Sequence, residues 1–575
     1  MKKWILKEQP GKAFRDKFSN YSPFVQTLLY QRGIKTKKEA EEFFNLDYEE
    51  GLNDPFLLSG MNKAVNRILR SVKKNEKIAI YGDYDADGVT AATVLNQFFR
   101  ELKVKPVIYI PDRIKEGYGL NETAVDYLKD KKIDLVITVD NGVRNVLEVE
   151  SFREAGMEVI VTDHHALPDK LPKALAIVNP HLDEKKYPCP YLSGVGVAFK
   201  LVQALIQKIG ADKFSTGFEK WLLDLVAIGT IADLVPLLRE NRILAKYGLI
   251  VLAKTKRKGL QEIMVRAGID LDREYLRSDQ VGFGIAPRIN AAGRMDHANI
   301  AFVLLNEEKK ARAEELVDEL EAHNKRRQDL TVKIFKEVEK KDFSREKIII
   351  DGDRKWPLGL VGLVSGRLSD KYSKPVLIYM QEKDRIRGSA RSIPGFDMVE
   401  VLDEVSDLLF EYGGHKQAAG FTVLNENVNE FKRRIRKIAQ RKIKKEDMVS
   451  KLLIDYNLEF DEIDDNLMDE IKALEPFGLG NEEPVFEVKR ARVMNLRMVG
   501  SAQKHLKLTV CKNCKKNNQV KYFQCIGFNF IDQARDLNKG DLVDLAFNLY
   551  VNKFNGSENL EFRLIDLKIR SKSKT

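Results

Sequence analysis

The sequence predicts an α/β protein of several domains: a large parallel-sheet domain, a long connecting helix, a smaller α/β domain and a C-terminal β-barrel. Three observations predict it. From Lys77 onward, β-branched runs alternate with amphipathic stretches: KIAIYG, VTAATVLNQFFREL, PVIYI, a stretch near 122–129, DLVITV, a stretch near 143–155, and EVIVTD. Such alternation marks parallel strands joined by crossover helices. Between 306 and 342 the chain is charge-dense, with Leu316, Leu320, Leu330, Ile334 and Val338 on a helical period, which predicts one long, mostly solvated helix. Toward the C-terminus, PVFEVKRARVMNLRMVG, HLKLTV, KYFQCIGFNF and DLVDLAFNLYVNKFNGSENLEFRLIDLKI alternate in the strand manner, punctuated by turn signals such as Asn555-Gly556. Short strands of this kind suit a small oligonucleotide-binding barrel.

A chain of 575 residues holds three or four ordinary domains. The expected divisions are an N-terminal helical cap over 1–60, a catalytic α/β domain over 61–305, the connecting helix over 306–342, a second α/β domain over 343–445, and the barrel over 446–575. Near-continuous apolar strands such as IAIY and LVITV call for a sheet covered on both faces. Sites in open sheets of this type form at the carboxyl ends of the strands.

Hydrophobic residues at 43% and charged residues at 32% exclude a disordered or membrane-embedded chain. The opening MKKWILKEQPGK lacks the apolar stretch of roughly 7 to 15 residues that a secretory signal needs. The most apolar window, 221–238, contains Asp224, Asp233 and Pro236, so it is expected to be buried core rather than a membrane span. Four cysteines do not make a disulfide framework in a chain this long, and a cytoplasmic location is expected. The net charge of +11 suits a polyanionic partner, whose phosphates Lys and Arg neutralise.

Acidic residues gather at the predicted strand ends. YGDYDADGVT places Asp83, Asp85 and Asp87 just beyond the first strand, and like charges this close need a cation between them. A calcium loop also reads D-x-D-x-D-G, but it requires a later glutamate and helices on both sides, whereas an apolar strand precedes this one. ITVDNG brings Asp140 to the end of another strand, and VTDHHALP brings Asp163, His164 and His165 to the end of a third. Adjacent histidines on an extended chain point different ways, so one can ligate a metal while the other faces a substrate. In DLVAIGTIADLVPL, Asp233 is the preferred ligand and Asp224 the structural partner, because a buried carboxylate must be paired or metal-bound. Arg113, Arg288, Arg294 and Arg391 are candidate phosphate clamps, since guanidinium groups bind phosphate oxygens bidentately. His415 follows Gly413-Gly414, where backbone amides can approach a phosphate. Cys511 and Cys514 form a lone C-x-x-C without the further pair a zinc site needs, so a polar hairpin tip is expected.

These motifs together resemble the DHH phosphoesterase family and, within it, the single-strand-specific exonucleases. YGDYDADG, VDNG, DHH and GTIAD occur in the family's order. GSARS and GGHKQAAGF resemble its DHHA1 domain, and LEPFGLGNEEPVF, at 474–486, is similar to the segment that introduces its oligonucleotide-binding barrel; the match runs from about Asp54 to the C-terminus. The resemblance implies a DHH catalytic domain, a DHHA1 nucleic-acid-binding domain and an OB-fold. It implies two manganese or magnesium ions bound by Asp85, Asp87, Asp140, His164 and Asp233, with Asp140 bridging and Asp83 supporting the loop. Asp140, His164 and His165 would be the catalytic residues, His165 contacting the scissile phosphate or its leaving oxygen. Arg113, Ser389 and Arg391 inherit contact with the 5′ phosphate and strand.

The implied activity is 5′→3′ exonucleolytic hydrolysis of single-stranded DNA in repair and recombination. The alternative is an oligoribonucleotide or cyclic-dinucleotide phosphodiesterase of the same fold, whose members generally lack an appended barrel. A monomer is expected, with single-stranded DNA, a single-strand-binding protein and a RecQ-type helicase as partners. One departure stands out: in WPLGLVGLVSGRL, Pro357 and Gly366 replace a histidine and a serine common among relatives, while Arg367 remains.

Overall fold

A computed structural model describes residues 2–500, 503–513, 520–554 and 557–572. They form two compact units, Asp47–Val449, and Met1–Leu46 together with Ser450–Thr575.

The larger unit is built on a five-stranded, all-parallel sheet in the order Val107–Tyr109, Ile78–Tyr81, Leu135–Val139, Glu158–Thr162, Ala176–Val178. Helices Ala86–Glu101, Glu122–Asp130 and Val146–Glu154 make the crossovers, as the alternating pattern predicts. Every residue of Ile78–Tyr81 and Leu135–Val139 is buried, which is why these strands carry no polar face. The strand Ala176–Val178 was not foreseen: three residues between loop segments carry too little periodicity to stand out. The apolar window around 221–238 is the helix Leu223–Ala232, buried from Leu223 to Ile231. Within it Asp224 accepts hydrogen bonds from Thr255 Oγ1 at 2.6 Å and Arg257 Nε at 3.1 Å, which makes it the structural partner its setting suggests.

The charge-dense segment is a helix, Lys310–Glu339, of 30 residues and so about 45 Å long. It leads into a second sheet in the order Glu411–His415, Ala418–Leu424, Arg385–Arg391, Val376–Gln381, Ile349–Asp353. Only the pair Ile349–Asp353 with Val376–Gln381 is parallel, and the helix Leu358–Tyr372 crosses between them. Leu360, Val361, Val364 and Leu368 bury one face of that helix against Ile334 and Val338 of the long helix.

In the other unit, Phe486–Val499, His505–Asn513, Val520–Gly527, Ser557–Ser571 and Leu542–Phe554 pair in sequence, and the last pairs back to the first, closing a five-stranded barrel. The segment 1–60, expected to form a helical cap, is divided. Lys3–Leu6 is a strand that runs parallel to Lys451–Ile454, and the helix Pro23–Gln31 sets Phe24 with its ring centroid 5.4 Å from that of Phe486. Arg32 Nε donates to Asn481 Oδ1 at 2.6 Å. Cys511 is buried in the barrel, while Cys514 and the Asn555-Gly556 turn lie outside the described residues. No helix of the described residues is long and apolar enough to cross a membrane.

Candidate active site

Three neighbouring strands of the parallel sheet deliver carboxylates to one place. Asp83 follows Ile78–Tyr81 and is buried. Asp85 caps the helix Ala86–Glu101 through Oδ1, which accepts the amides of Asp87 and Gly88. Asp140 follows Leu135–Val139 in a left-handed backbone conformation, φ +63°. Its amide is fixed by the carbonyl of Thr162 on the next strand, at 3.0 Å. Asp163 and His164 follow that strand, and Asp233 ends the helix Leu223–Ala232.

Ligand atoms fall into overlapping groups, Asp83–Asp85–Asp140, Asp87–His164–Asp233 and Asp140–His164–His165, each set within 4.8 Å. His164 Nε2 lies 3.1 Å from Asp140 Oδ1, 3.5 Å from Asp233 Oδ2 and 3.9 Å from Asp87 Oδ2. Yet among the described residues neither Asp140 Oδ1, nor Asp83 Oδ1, nor His164 Nε2 makes a hydrogen bond, although all three are buried. Burial and the charge of His165 push His164 down to about 3, and a backbone hydrogen bond to Leu192 occupies the ring's other side. Nε2 therefore presents a lone pair to carboxylate oxygens. Lone pairs facing lone pairs in a buried setting fit a site made for cations.

The carboxylates record the same crowding. Burial, then the charge of Asp85, push Asp87 up to about 7. Burial and the charges of Asp87 and Asp85 push Asp233 up to about 9. Asp83 and Asp140 are raised well above the carboxylate range, by burial first and neighbouring aspartates second. Asp163 differs: although buried, it is held below that range by its hydrogen bond with His165. Asp163 Oδ1 lies 2.7 Å from His165 Nδ1 and also accepts the amides of His164 and His165. Burial opposes charge on His165, but Asp163 outweighs it and holds the imidazole above its ordinary value. The Tyr118 hydroxyl stands 3.1 Å from the same ring.

Beside this cluster lies a basic one. The Arg113 guanidinium sits over the Tyr84 ring, 4.7 Å from its centroid. Arg294 donates to the Gly359 carbonyl at 3.1 Å, and Arg391 to Ser389 Oγ at 2.9 Å. Burial, then the charges of Arg113 and Arg327, push Arg294 down to about 9; burial and Arg113 also lower Arg391. Guanidiniums in mutual repulsion, hydrogen-bonded to carbonyls and a hydroxyl, are disposed to take a phosphate. His415, Ala418 and Arg391 share one cross-strand row, so His415 lies on the Arg391 face, two strands away and exposed.

Family models for the DHH family N-terminal domain, the DHHA1 domain and the RecJ OB domain match residues 77–230, 345–441 and 454–566. The single-stranded-DNA-specific exonuclease RecJ of Bacillus subtilis is 37% identical over 551 residues, covering 95% of this chain and 68% of the relative. The chain belongs to the RecJ family. The crystal structure of RecJ from Thermus thermophilus in complex with Mn2+ superposes with a TM-score of 0.82 at 30% identity, covering 99% of this chain and 80% of that one. Its complex with Mg2+ gives 0.76 at 28%, covering 99% and 79%.

Placed on this RecJ-family fold, Asp85, Asp87, Asp140, His164, His165 and Asp233 come together as the motifs suggest. Asp83, expected only to support the loop, presents an unpartnered oxygen to the same centre. Arg113, Arg294, Ser389 and Arg391 converge, but Arg288 does not join them. Its guanidinium pairs with Glu321 at 2.7 Å and donates to the carbonyls of Gly284 and Arg266, so it is held by the scaffold. Pro357 caps the helix Leu358–Tyr372, and Gly366 faces open space.

Sequence reasoning passed over the glycines that bring the pieces of this RecJ-family site into contact. The amides of Gly194 and Val195, opening the helix Gly194–Ile209, donate to Asp87 at 2.6 and 2.9 Å. A Cβ on Gly229 would meet Asp87 Oδ1 at 2.5 Å, and one on Gly362 would meet Ser389 Oγ at 3.2 Å. S-G-V-G at a helix start was the available signal for the first of these.

The raised carboxylates make a prediction for the metal-free protein. In the unfolded chain these groups ionise near pH 4, whereas in the fold Asp87 and Asp233 keep protons to about 7 and 9. The native state thus binds more protons between those limits, and stability falls as pH rises through them. Thermal melts in chelator should drop from pH 6 to pH 9, and saturating manganese should raise the melting temperature more at pH 8 than at pH 6. A flat or rising metal-free profile contradicts this.

Proposed function

We propose that this chain is a 5′→3′ exonuclease that hydrolyses phosphodiester bonds in single-stranded DNA with two manganese or magnesium ions, serving DNA repair and recombination. The carrying observation is a buried carboxylate–imidazole cluster with unpartnered donor atoms, set beside convergent arginines within one compact unit. Membership of a family whose relatives are named single-stranded-DNA-specific exonucleases, and whose solved structures carry Mn2+ and Mg2+, supports the substrate and the metal.

Asp83, Asp85 and Asp140 would hold one cation and Asp87, His164 and Asp233 the other, with Asp140 shared. Two such cations would supply Lewis-acid chemistry: a nucleophile from water near neutral pH and charge stabilisation for the attacking and leaving oxygens. Asp87 is locked to the helix start, its two oxygens accepting the amides of Gly194 and Val195. Asp163 aligns His165 and favours its protonated form, so that a ring nitrogen can donate to the scissile phosphate or its leaving oxygen. Arg113, Arg294 and Arg391, with Ser389 and the more distant His415, would seat the 5′ phosphate and the strand behind it. A monomer acting in the cytoplasm, with a single-strand-binding protein and a RecQ-type helicase as partners, completes the reading. The charge of +11 favours polyanion binding.

The test is degradation of a 5′-phosphorylated single strand, labelled at either end, with manganese. Mononucleotide release from the 5′ label and progressive shortening of the 3′-labelled strand are expected; release from the 3′ end, or cleavage confined to dinucleotides, overturns the reading. Arg391→Ala should lower kcat/KM on a 5′-phosphorylated strand by about 10- to 100-fold, given about 1.5 to 3 kcal/mol for a charge-assisted hydrogen bond. It should affect a 5′-hydroxyl strand much less. Equal losses on both strands would remove Arg391 from the phosphate seat.

A further inference from the structure

A single helical rod connects the metal loop with an exposed aromatic ring. Ser278–Gln280, the π-helical turn Val281–Ile285 and the helix Ala286–Met295 follow one another without a break. Near the far end of the rod, Asn290 Oδ1 accepts the amide of Ala86, between Asp85 and Asp87, and Arg294 joins Arg113 in the basic cluster. Seven residues before Asn290, about 10 Å back at ~1.5 Å per residue, stands Phe283. It is 84% exposed, the most exposed large apolar side chain among the described residues.

The ring is not exposed because the turn is loose. Val281 and Ile285 on either side are buried, Gly284 lies against Ile269 and Ala267, and the turn packs on the helix Leu223–Ala232 that ends at Asp233. Single π turns inserted in helices are rare and recur at functional sites. Leu234, immediately after Asp233, is likewise 70% exposed and sits at φ +59°. Apolar surface is therefore presented on the elements that carry the acidic cluster, where folding gains nothing from it.

A single strand carries its bases unstacked, and each offers a π-face that an aromatic ring can take regardless of sequence. The rod orders the contacts: Arg294 on one side of Asn290, Phe283 on the other. With the 5′ phosphate at the arginines and the scissile bond beside Asn290, the strand's continuation passes toward Phe283. We propose that Phe283 is a positioning residue on which a nucleobase stacks, beyond the nucleotide immediately 3′ of the scissile phosphate. This rests on the reading of the arginines as the seat of the 5′ end.

The test uses full-length protein with manganese. Phe283→Ala should raise KM for a long 5′-phosphorylated single strand about tenfold, with kcat changed less than twofold, and Phe283→Trp should restore it. On a 5′-phosphorylated dinucleotide, too short to reach the ring, Phe283→Ala should match the wild type. Wild-type protein should pause at a fixed offset before a single abasic position placed in the strand, and Phe283→Ala should not. Thermal melts of the variants should coincide with the wild type, since an exposed ring leaves no cavity. A Phe283→Ala enzyme that keeps the wild-type KM, or an abasic pause that survives the substitution, overturns the inference while leaving the proposed function in place. Wild-type protein that degrades no single strand overturns both.

Discussion

Asp140→Asn is expected to reduce kcat/KM on single-stranded DNA by about a thousandfold or more while leaving the fold intact. Asp140 belongs to two of the three ligand groups, and its buried Oδ1 lies 3.1 Å from His164 Nε2 without a hydrogen bond. Replacing the carboxylate with a neutral amide of the same shape removes the charge both cations would share. That forfeits several kcal/mol of transition-state stabilisation, at 1.36 kcal/mol per factor of ten. The same change removes a carboxyl that ionises readily in the unfolded chain but is held well above the ordinary carboxylate range in the fold. Metal-free Asp140→Asn should therefore melt higher than wild type at pH 8, so lost activity cannot be ascribed to unfolding. A loss of less than tenfold in manganese would place the reaction elsewhere.

Gly194→Ala, which alters no carboxylate, is expected to cost at least about a hundredfold. A Cβ at this position would lie 2.4 Å from Asp140 Cβ and Oδ1, closer than real Cβ atoms approach. The Gly194 amide also holds Asp87 Oδ2 at 2.6 Å. Either the helix Gly194–Ile209 retreats and releases Asp87, or Asp140 is driven from the centre. A displacement of about 1 Å in such a constellation is enough for a loss of that size. The manganese requirement should rise along with the loss of activity. Gly196→Ala is the control, because its Cβ would meet Ser193 Oγ at 3.3 Å and Leu192 at 3.4 Å, contacts that small shifts accommodate. Equal effects from the two substitutions would contradict the steric argument.

The acidic motifs were legible because their chemistry is local. Asp83, Asp85 and Asp87 fall within five residues, Asp163 adjoins His164, and each group follows an apolar run whose strand character is plain from β-branched residues. Arg288 and Arg294 looked equivalent in APRINAAGR, yet one pairs with Glu321 and the other stands among arginines. Six residues on a helix differ by about 600° of rotation at ~100° each, and which direction faces the site depends on what packs alongside. Tyr118, which reaches His165 from 47 residues away, carried no pattern at all.

By itself the sequence determined the alternation that makes the parallel sheet, the long charged helix, the barrel strands, and the set of aspartates and histidines at strand ends. These follow from side-chain periodicity and from residue types, which act over a few neighbouring positions. Tertiary structure alone decided that Lys3–Leu6 pairs with Lys451–Ile454, that Gly194 and Gly229 let backbone approach Asp140 and Asp87, and that Phe283 stands clear of the core. Contacts between segments hundreds of residues apart, and the close approaches that only a missing Cβ permits, depend on how finished elements pack, and nothing in the local pattern encodes that.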